Sequence, residues 1–189
     1  AGQCKYMLAL RSSKPIIIGT GPAGTGKTML ACNIATEHIL KHPRARVVLT
    51  RPIVAADEDM GYLPGDMDQK MEPWTRPMYD IFEQSMTHNQ MDRCICIEPL
   101  GYMRGRTFNH TLIIADEMQN STPNQMKLLL TRLGEGTKIV VTGDLEQSDL
   151  EGDNGLENLV YKMQCTELDY IQHVEMGDDD IVRHPAAVS

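Results

Sequence analysis

"GTGPAGTGKTMLACNIA", residues 19–35, decides how the rest of the chain reads. Within it Gly21, Pro22, Ala23, Gly24, Thr25, Gly26, Lys27 and Thr28 satisfy G-x-x-x-x-G-K-[ST] without a mismatch. An apolar run, "KPIIIGT" (14–20), precedes the loop and a helical pattern follows it to about Leu40. That order is the context in which such a loop grips phosphate: glycines let the backbone approach the oxygens, and the N–H groups of the helix start add partial positive charge. Lys27 is expected to reach the β- and γ-phosphates of ATP, and Thr28 to hold Mg²⁺ through its hydroxyl.

Outward from the loop, short apolar runs alternate with helical patterns, as in a parallel sheet covered on both faces. Expected strands are residues 14–20, 46–50, 93–98, 111–116 and 138–143, with a weaker sixth at 170–176. Expected helices cover the stretch after the loop, residues 67–86 broken or bent by Pro73 and Pro77, residues 122–134 capped by Thr122 and stopped by Gly134, and residues 155–163. The fold expected is α/β: a RecA-like P-loop NTPase core, mostly parallel, as one domain over 1–189.

Two more stretches carry chemistry. "TLIIADEMQN" (111–120) is a buried strand ending in Asp116 and Glu117. Asp116 is placed to bind the metal through water, and Glu117 to orient and deprotonate an attacking water. "VVTGDLEQSDL" (140–150) brings Thr142, Gly143 and Asp144 to the same sheet edge, where Gln147 is a candidate γ-phosphate sensor. G-D-x-x-Q resembles the third motif of superfamily 1 helicases. No N-K-x-D base reader and no L-S-G-G-Q signature occurs, which cuts GTPases and ABC ATPases. A small-molecule kinase has no need of Glu117 beside the metal carboxylate.

Composition sets the outer limits. The 189 residues carry 18 Lys plus Arg against 26 Asp plus Glu, a net charge of −8 that argues against a broadly basic surface but allows a local groove. It also leaves open a rival function, an ATP-dependent switch or scaffold acting on protein partners without nucleic acid. Five cysteines at 4, 32, 94, 96 and 165 fit neither a zinc pair nor a disulfide framework, and are expected as reduced core residues, with Cys94 and Cys96 on one strand face. His38 and His42 are expected at a solvated helix end, and the thirteen methionines as core filler. No apolar run spans a membrane, and "AGQCKYMLALRSSKP" lacks the order of a secretory signal, so a cytoplasmic address is expected.

"GYLPGD" (61–66), "YMRGRT" (102–107) and "DEMQN" (116–120), in that order with the phosphate loop and "DIVRHPAAV" (180–188), resemble the PhoH family. The resemblance covers nearly the whole chain. It implies a cytoplasmic RecA-like ATPase, in a family whose relatives are proposed to act on RNA, assembled as a ring, with a hexamer expected. It makes Gln3 a candidate adenine reader and Arg183 a candidate finger toward a neighbour's γ-phosphate. Arg51, Arg104 and Arg106 are candidates for polynucleotide phosphate or subunit contacts, while Trp74 and Tyr79 read as packing residues. "DED" at 57–59 departs from the glycine and basic residue frequent in relatives, which weakens any expectation of strand binding there. The chain ends soon after "VRHP", without a nuclease or RNA-binding extension, so cleavage or sequence specificity is expected to come from elsewhere.

Overall fold

The computed structural model describes residues 1–52, 73–148 and 152–181. The acidic stretch 57–68 and Arg183 lie outside the described residues. Six strands, all parallel, form one sheet: β1 (Ile16–Thr20), β2 (Arg46–Thr50), β3 (Ile95–Ile97), β4 (Thr111–Ala115), β5 (Lys138–Gly143) and β6 (Ile171–Glu175). Their order across the sheet is β3-β2-β4-β5-β1-β6. β5 therefore lies between the strand feeding the glycine loop and the strand ending at Asp116.

The helices are α1 (Gly2–Arg11), α2 (Lys27–Lys41), α3 (Arg76–Glu83), α4 (His88–Cys94), α5 (Pro123–Leu130) and α6 (Gly155–Cys165). Side chains alternate along each strand and build two cores. Ile17, Val47, Leu49, Leu112, Ile114 and Val140 pack with α1, α2, α3 and α4. Ile18, Val48, Ile113, Ile139 and Val141 pack with α5 and α6 on the other face. Every residue of β1 and β4 is buried, as expected of strands covered on both sides. The fold is RecA-like, a parallel sheet between two helical layers.

Several boundaries differ from expectation for local reasons. Pro77 opens α3 in its first turn, where proline is tolerated, and Pro73 begins a single 3₁₀ turn, Pro73–Thr75. Neither breaks a longer helix within the described residues. Thr87 and Gln90 form a capping box that starts α4, and this helix consumes Arg93 and Cys94, shortening β3 to three residues. Cys94 and Cys96 therefore do not share a strand face: Cys94 is buried at the helix end and Cys96 is half-buried on β3. Cys32 and Cys94 are core thiols, but Cys4 and Cys165 are exposed, and all five are free.

α5 stops at Leu130, one turn before Gly134. Gly134 serves a different purpose, because a Cβ there would lie 2.3 Å from the Phe108 carbonyl oxygen and from Asn109 Oδ1. The sixth strand is as regular as the others, paired with β1 over Ile171–Glu175. His38 is half-buried, its Nε2 without a hydrogen-bond partner among the described residues, rather than solvated. Burial, followed by the nearby His42 and Lys138, lowers its pKa. Among the described residues no three His, Cys, Asp or Glu side chains gather as a metal group, and no helix is long and apolar enough to cross a membrane.

α1 lies against the first core through Tyr6, Ala9 and Leu10. Gly19 makes room for it: a Cβ there would lie 2.6 Å from the Tyr6 ring. The Tyr6 hydroxyl is buried and has no partner among the described residues, and burial, with Asp116 and Cys32 adding to it, pushes its pKa up. A buried hydroxyl without a partner is costly, so Tyr6→Phe is expected to raise stability by about 1 kcal/mol. Denaturant unfolding of the two proteins measures it.

Candidate functional site

The loop between β1 and α2 is braced before any ligand is considered. Gly21 N–H donates to the Gly143 carbonyl (3.1 Å), tying the loop to β5. The Pro22 carbonyl accepts from Thr25 Oγ1 (2.9 Å) and from Lys27 Nζ (3.2 Å). Lys27 is buried within the loop it must serve, while Ala23 and Gly24 are exposed at its crest. Gly26 caps α2 with φ of 83°, a left-handed conformation that side chains resist. The α2 N-terminus with Lys27 and Thr28 thus faces the carboxyl edge of the sheet.

Asp116 is the hub at that edge. It is 4% exposed, and its Oδ1 accepts from Thr28 Oγ1 (3.2 Å) and Thr142 Oγ1 (2.7 Å). Its Oδ2 accepts from Arg51 Nη2 (2.8 Å). Residues from β1's loop, β2, β4 and β5 therefore meet on one carboxylate. Cys32 lies near enough to feel it: burial, and then the Asp116 charge, push the thiol up to about 12.

Glu117 follows in a left-handed conformation, φ 55° and ψ 39°, unusual for a residue with a side chain. Its carboxylate is held: Gln119 Nε2 donates to Glu117 Oε2 at 2.5 Å. The other end of the same amide accepts from the Asp144 N–H at 3.1 Å. Gln119, 2% exposed, thereby joins the carboxylate after β4 to the turn after β5, and the Ser148 hydroxyl donates to its backbone carbonyl. Gln119 lies within "DEMQN" but is not among the candidates that the sequence offers. Residues 116–122, D-E-M-Q-N-S-T, are polar except for Met118, so nothing in the sequence singles Gln119 out.

Gly143 makes that bridge fit. A Cβ there would lie 2.5 Å from Leu156 Cδ2 and 2.7 Å from Gln119 Oε1. Gly143→Ala is therefore expected to push Gln119 off the Asp144 N–H and cost about 1–3 kcal/mol of stability. Thermal unfolding tests this, and an unchanged melting temperature contradicts it.

The remaining sequence candidates are distributed as follows. Gln3 lies beside the loop, its Nε2 donating to the Thr25 carbonyl (3.3 Å) and the Asp180 carbonyl (2.6 Å). Gln147 is exposed on the turn after β5, with its N–H donating to the Asp144 carbonyl. Arg106 pairs with Glu98 and covers the Phe108 ring at 4.7 Å. Arg104 is exposed, next to Tyr102 at 54% exposure. Arg51 is drawn into the cluster through Asp116 and lies 4.8 Å over the Trp74 ring. Trp74 packs against the first core and Tyr79 is buried within it, as expected.

The family description "PhoH-like protein" matches residues 1–189. The chain belongs to the PhoH family. It is 43% identical over 190 residues to a PhoH-like protein of Bacillus subtilis (strain 168), covering 97% of this chain and 59% of that protein. It is 40% identical over 190 residues to Protein PhoH of Escherichia coli (strain K12), covering 96% of this chain and 53% of that protein. The chain thus spans little more than half the length of these PhoH relatives. A remote likeness exists to the crystal structure of Pif1 helicase from Candida albicans, with TM-score 0.46 and 17% identity over 93% of this chain and 39% of that one. The PhoH chain carries its glycine loop at the carboxyl edge of a RecA-like parallel sheet.

Proposed function

We propose that the chain is a Mg²⁺-dependent ATPase that couples hydrolysis to remodelling or unwinding of RNA or single-stranded nucleic acid, as a cytoplasmic ring of six subunits, the assembly that the family resemblance implies. The observation that carries the enzymatic part is the convergence of Thr28 and Thr142 on Asp116, with Glu117 held beside it by Gln119. The sheet edge brings the phosphate-loop residues Lys27 and Thr28 together with the carboxylates Asp116 and Glu117, the combination that hydrolysis of a phosphoanhydride requires.

The donor set suits magnesium. Thr28 and Asp116 present a hydroxyl and a carboxylate 3.2 Å apart, the hard oxygen ligands this cation prefers. When bound, the ion neutralises charge on the phosphate oxygens. The protein's own contributions are then separable. Loop N–H groups and Lys27 orient the phosphates, Thr28 and Asp116 hold the metal directly or through water, and Thr142 fixes the Asp116 rotamer. Glu117 accepts a proton from the attacking water, and Gln119 keeps its carboxylate aimed. Gln147 senses the γ-phosphate from the turn after β5, Gln3 reads adenine, and Arg183 acts as a finger across the ring. Arg104 and Arg106 contact the polynucleotide or the neighbouring subunit.

Phosphate release from ATP, followed with magnesium and then with chelator, tests the reading. Release that needs magnesium and no added acceptor supports an ATPase. ATP consumption only in the presence of a small acceptor would make the chain a kinase and overturn it. The net charge of −8 favours the second reading, an ATP-dependent switch for protein partners, which shares the site but needs no nucleic acid.

A further inference from the structure

Arg51 is the first residue after β2, and its position is not that of a free surface cation. Nη2 lies 2.8 Å from Asp116 Oδ2, and the side chain is 33% exposed. The guanidinium covers the Trp74 ring at 4.8 Å, the only tryptophan in the chain. Its Nε is buried with no hydrogen-bond partner among the described residues. A planar cation thus neutralises the carboxylate that the proposed reading assigns to the metal, yet leaves one of its own donors unused. Two cations competing for one small carboxylate repel each other strongly at a part-buried site. Thr28 and Thr142 donate to Oδ1 and Arg51 to Oδ2, so a cation that approaches Oδ2 contests the Arg51 bond.

We propose that Arg51 is a latch exchanged for the divalent cation: it holds Asp116 in the free protein and leaves it when the metal–nucleotide complex seats. The inference rests on the ATPase reading of the site. Its structural consequence passes through Trp74, which sits in the turn Pro73–Thr75 leading into α3. α3 packs Met78, Tyr79 and Phe82 into the core that also holds Ala31, Cys32 and Ala35 of α2, the helix begun by Lys27 and Thr28. Occupancy of the metal site is thereby communicated to α3 through one side chain. The latch also sets a threshold, because the metal must displace an internal cation before it can seat.

Trp74 is a built-in reporter. The whole chain is saturated with adenylyl-imidodiphosphate in chelator, then titrated with magnesium while Trp74 emission is recorded and metal uptake is followed by calorimetry. In the wild type, emission changes with magnesium and follows the same midpoint as uptake. In Arg51→Ala, emission no longer responds, and the magnesium midpoint falls about tenfold, the scale of one charge-assisted hydrogen bond. Arg51→Lys, which keeps the charge but loses the planar stack, gives an intermediate midpoint, and decides the matter if the alanine variant folds poorly. A wild-type Trp74 that does not respond to magnesium, or an unchanged or raised midpoint in the variants, overturns the latch while leaving the ATPase reading intact. Absence of any nucleotide binding by the wild type would instead sink that reading, and the latch with it.

Discussion

Glu117→Gln is expected to bind ATP and magnesium as the wild type does and to turn over about 10²–10⁴ times more slowly, the range lost when a positioned general base is removed. The substitution is nearly isosteric, so φ of 55° at this residue and the fold around it should survive. Binding should survive too, because the proposed reading gives the phosphates to the loop and the metal to Thr28 and Asp116, not to Glu117. What is lost is the ability to take a proton. The amide also meets Gln119, whose Nε2 now donates to Glu117 Oε2, and an amide flip can preserve one hydrogen bond there. Single-turnover phosphate release with parallel nucleotide-binding measurements separates these effects. A variant with normal turnover would remove Glu117 from the chemistry.

Asp116→Ala is expected to damage both stability and metal binding. Three donors, Thr28 Oγ1, Thr142 Oγ1 and Arg51 Nη2, lose one acceptor at once. The two hydroxyls can rotate to other partners, and Arg51 is a third exposed, so solvent screens part of the loss. A cost of about 2–3 kcal/mol is expected. Magnesium affinity with bound nucleotide should fall about 10–100-fold, as it does when a group supporting the metal's shell is removed. Denaturant unfolding measures the first and calorimetry the second. If stability fell while magnesium affinity held, Asp116 would be a structural hub and no more.

Both effects concern residues that were legible in the sequence, for a definite reason. The glycine loop, "TLIIADE" and "VVTGD" are each local: a buried strand with its chemistry at the carboxyl end. β2 and β5 occupy the runs 46–50 and 138–143 expected of them, because apolar runs flanked by turn residues have few alternatives. The less legible parts depend on contacts distant in sequence. Gly2–Arg11 was not among the expected helices, and Ala1 provides no side-chain cap for it. That helix is anchored instead by Asp180, whose Oδ1 accepts from the Gly2 N–H at 2.9 Å across 178 positions. Its carboxyl pKa is held down by the N–H groups of Gly177 and then Gly2.

The site shows the same division. Thr28, Asp116 and Thr142 come together because each ends or follows a strand at one sheet edge, and periodicity alone predicts that edge. The contacts of Gln119 and Arg51 were not legible because their partners are set by tertiary geometry. Gln119 faces the Asp144 N–H only because β5 neighbours β4, and Arg51 reaches Asp116 only because β2 neighbours β4 on its other side. α4 was a different kind of miss. Thr87 and Gln90 spelled its capping box in the sequence, but the following "RCICIE" was read as strand from Arg93 onward.

In the proposed function, hydrolysis at Asp116 and Glu117 is coupled to a polynucleotide. Its most direct test is steady-state ATP hydrolysis by the assembled protein, with and without single-stranded RNA, using Glu117→Gln as the blank. The account predicts Glu117-dependent turnover that rises several-fold, on the order of tenfold, when RNA is added. Glu117-dependent turnover that is indifferent to RNA and to single-stranded DNA would contradict it, and would assign this site to a switch that answers to protein partners.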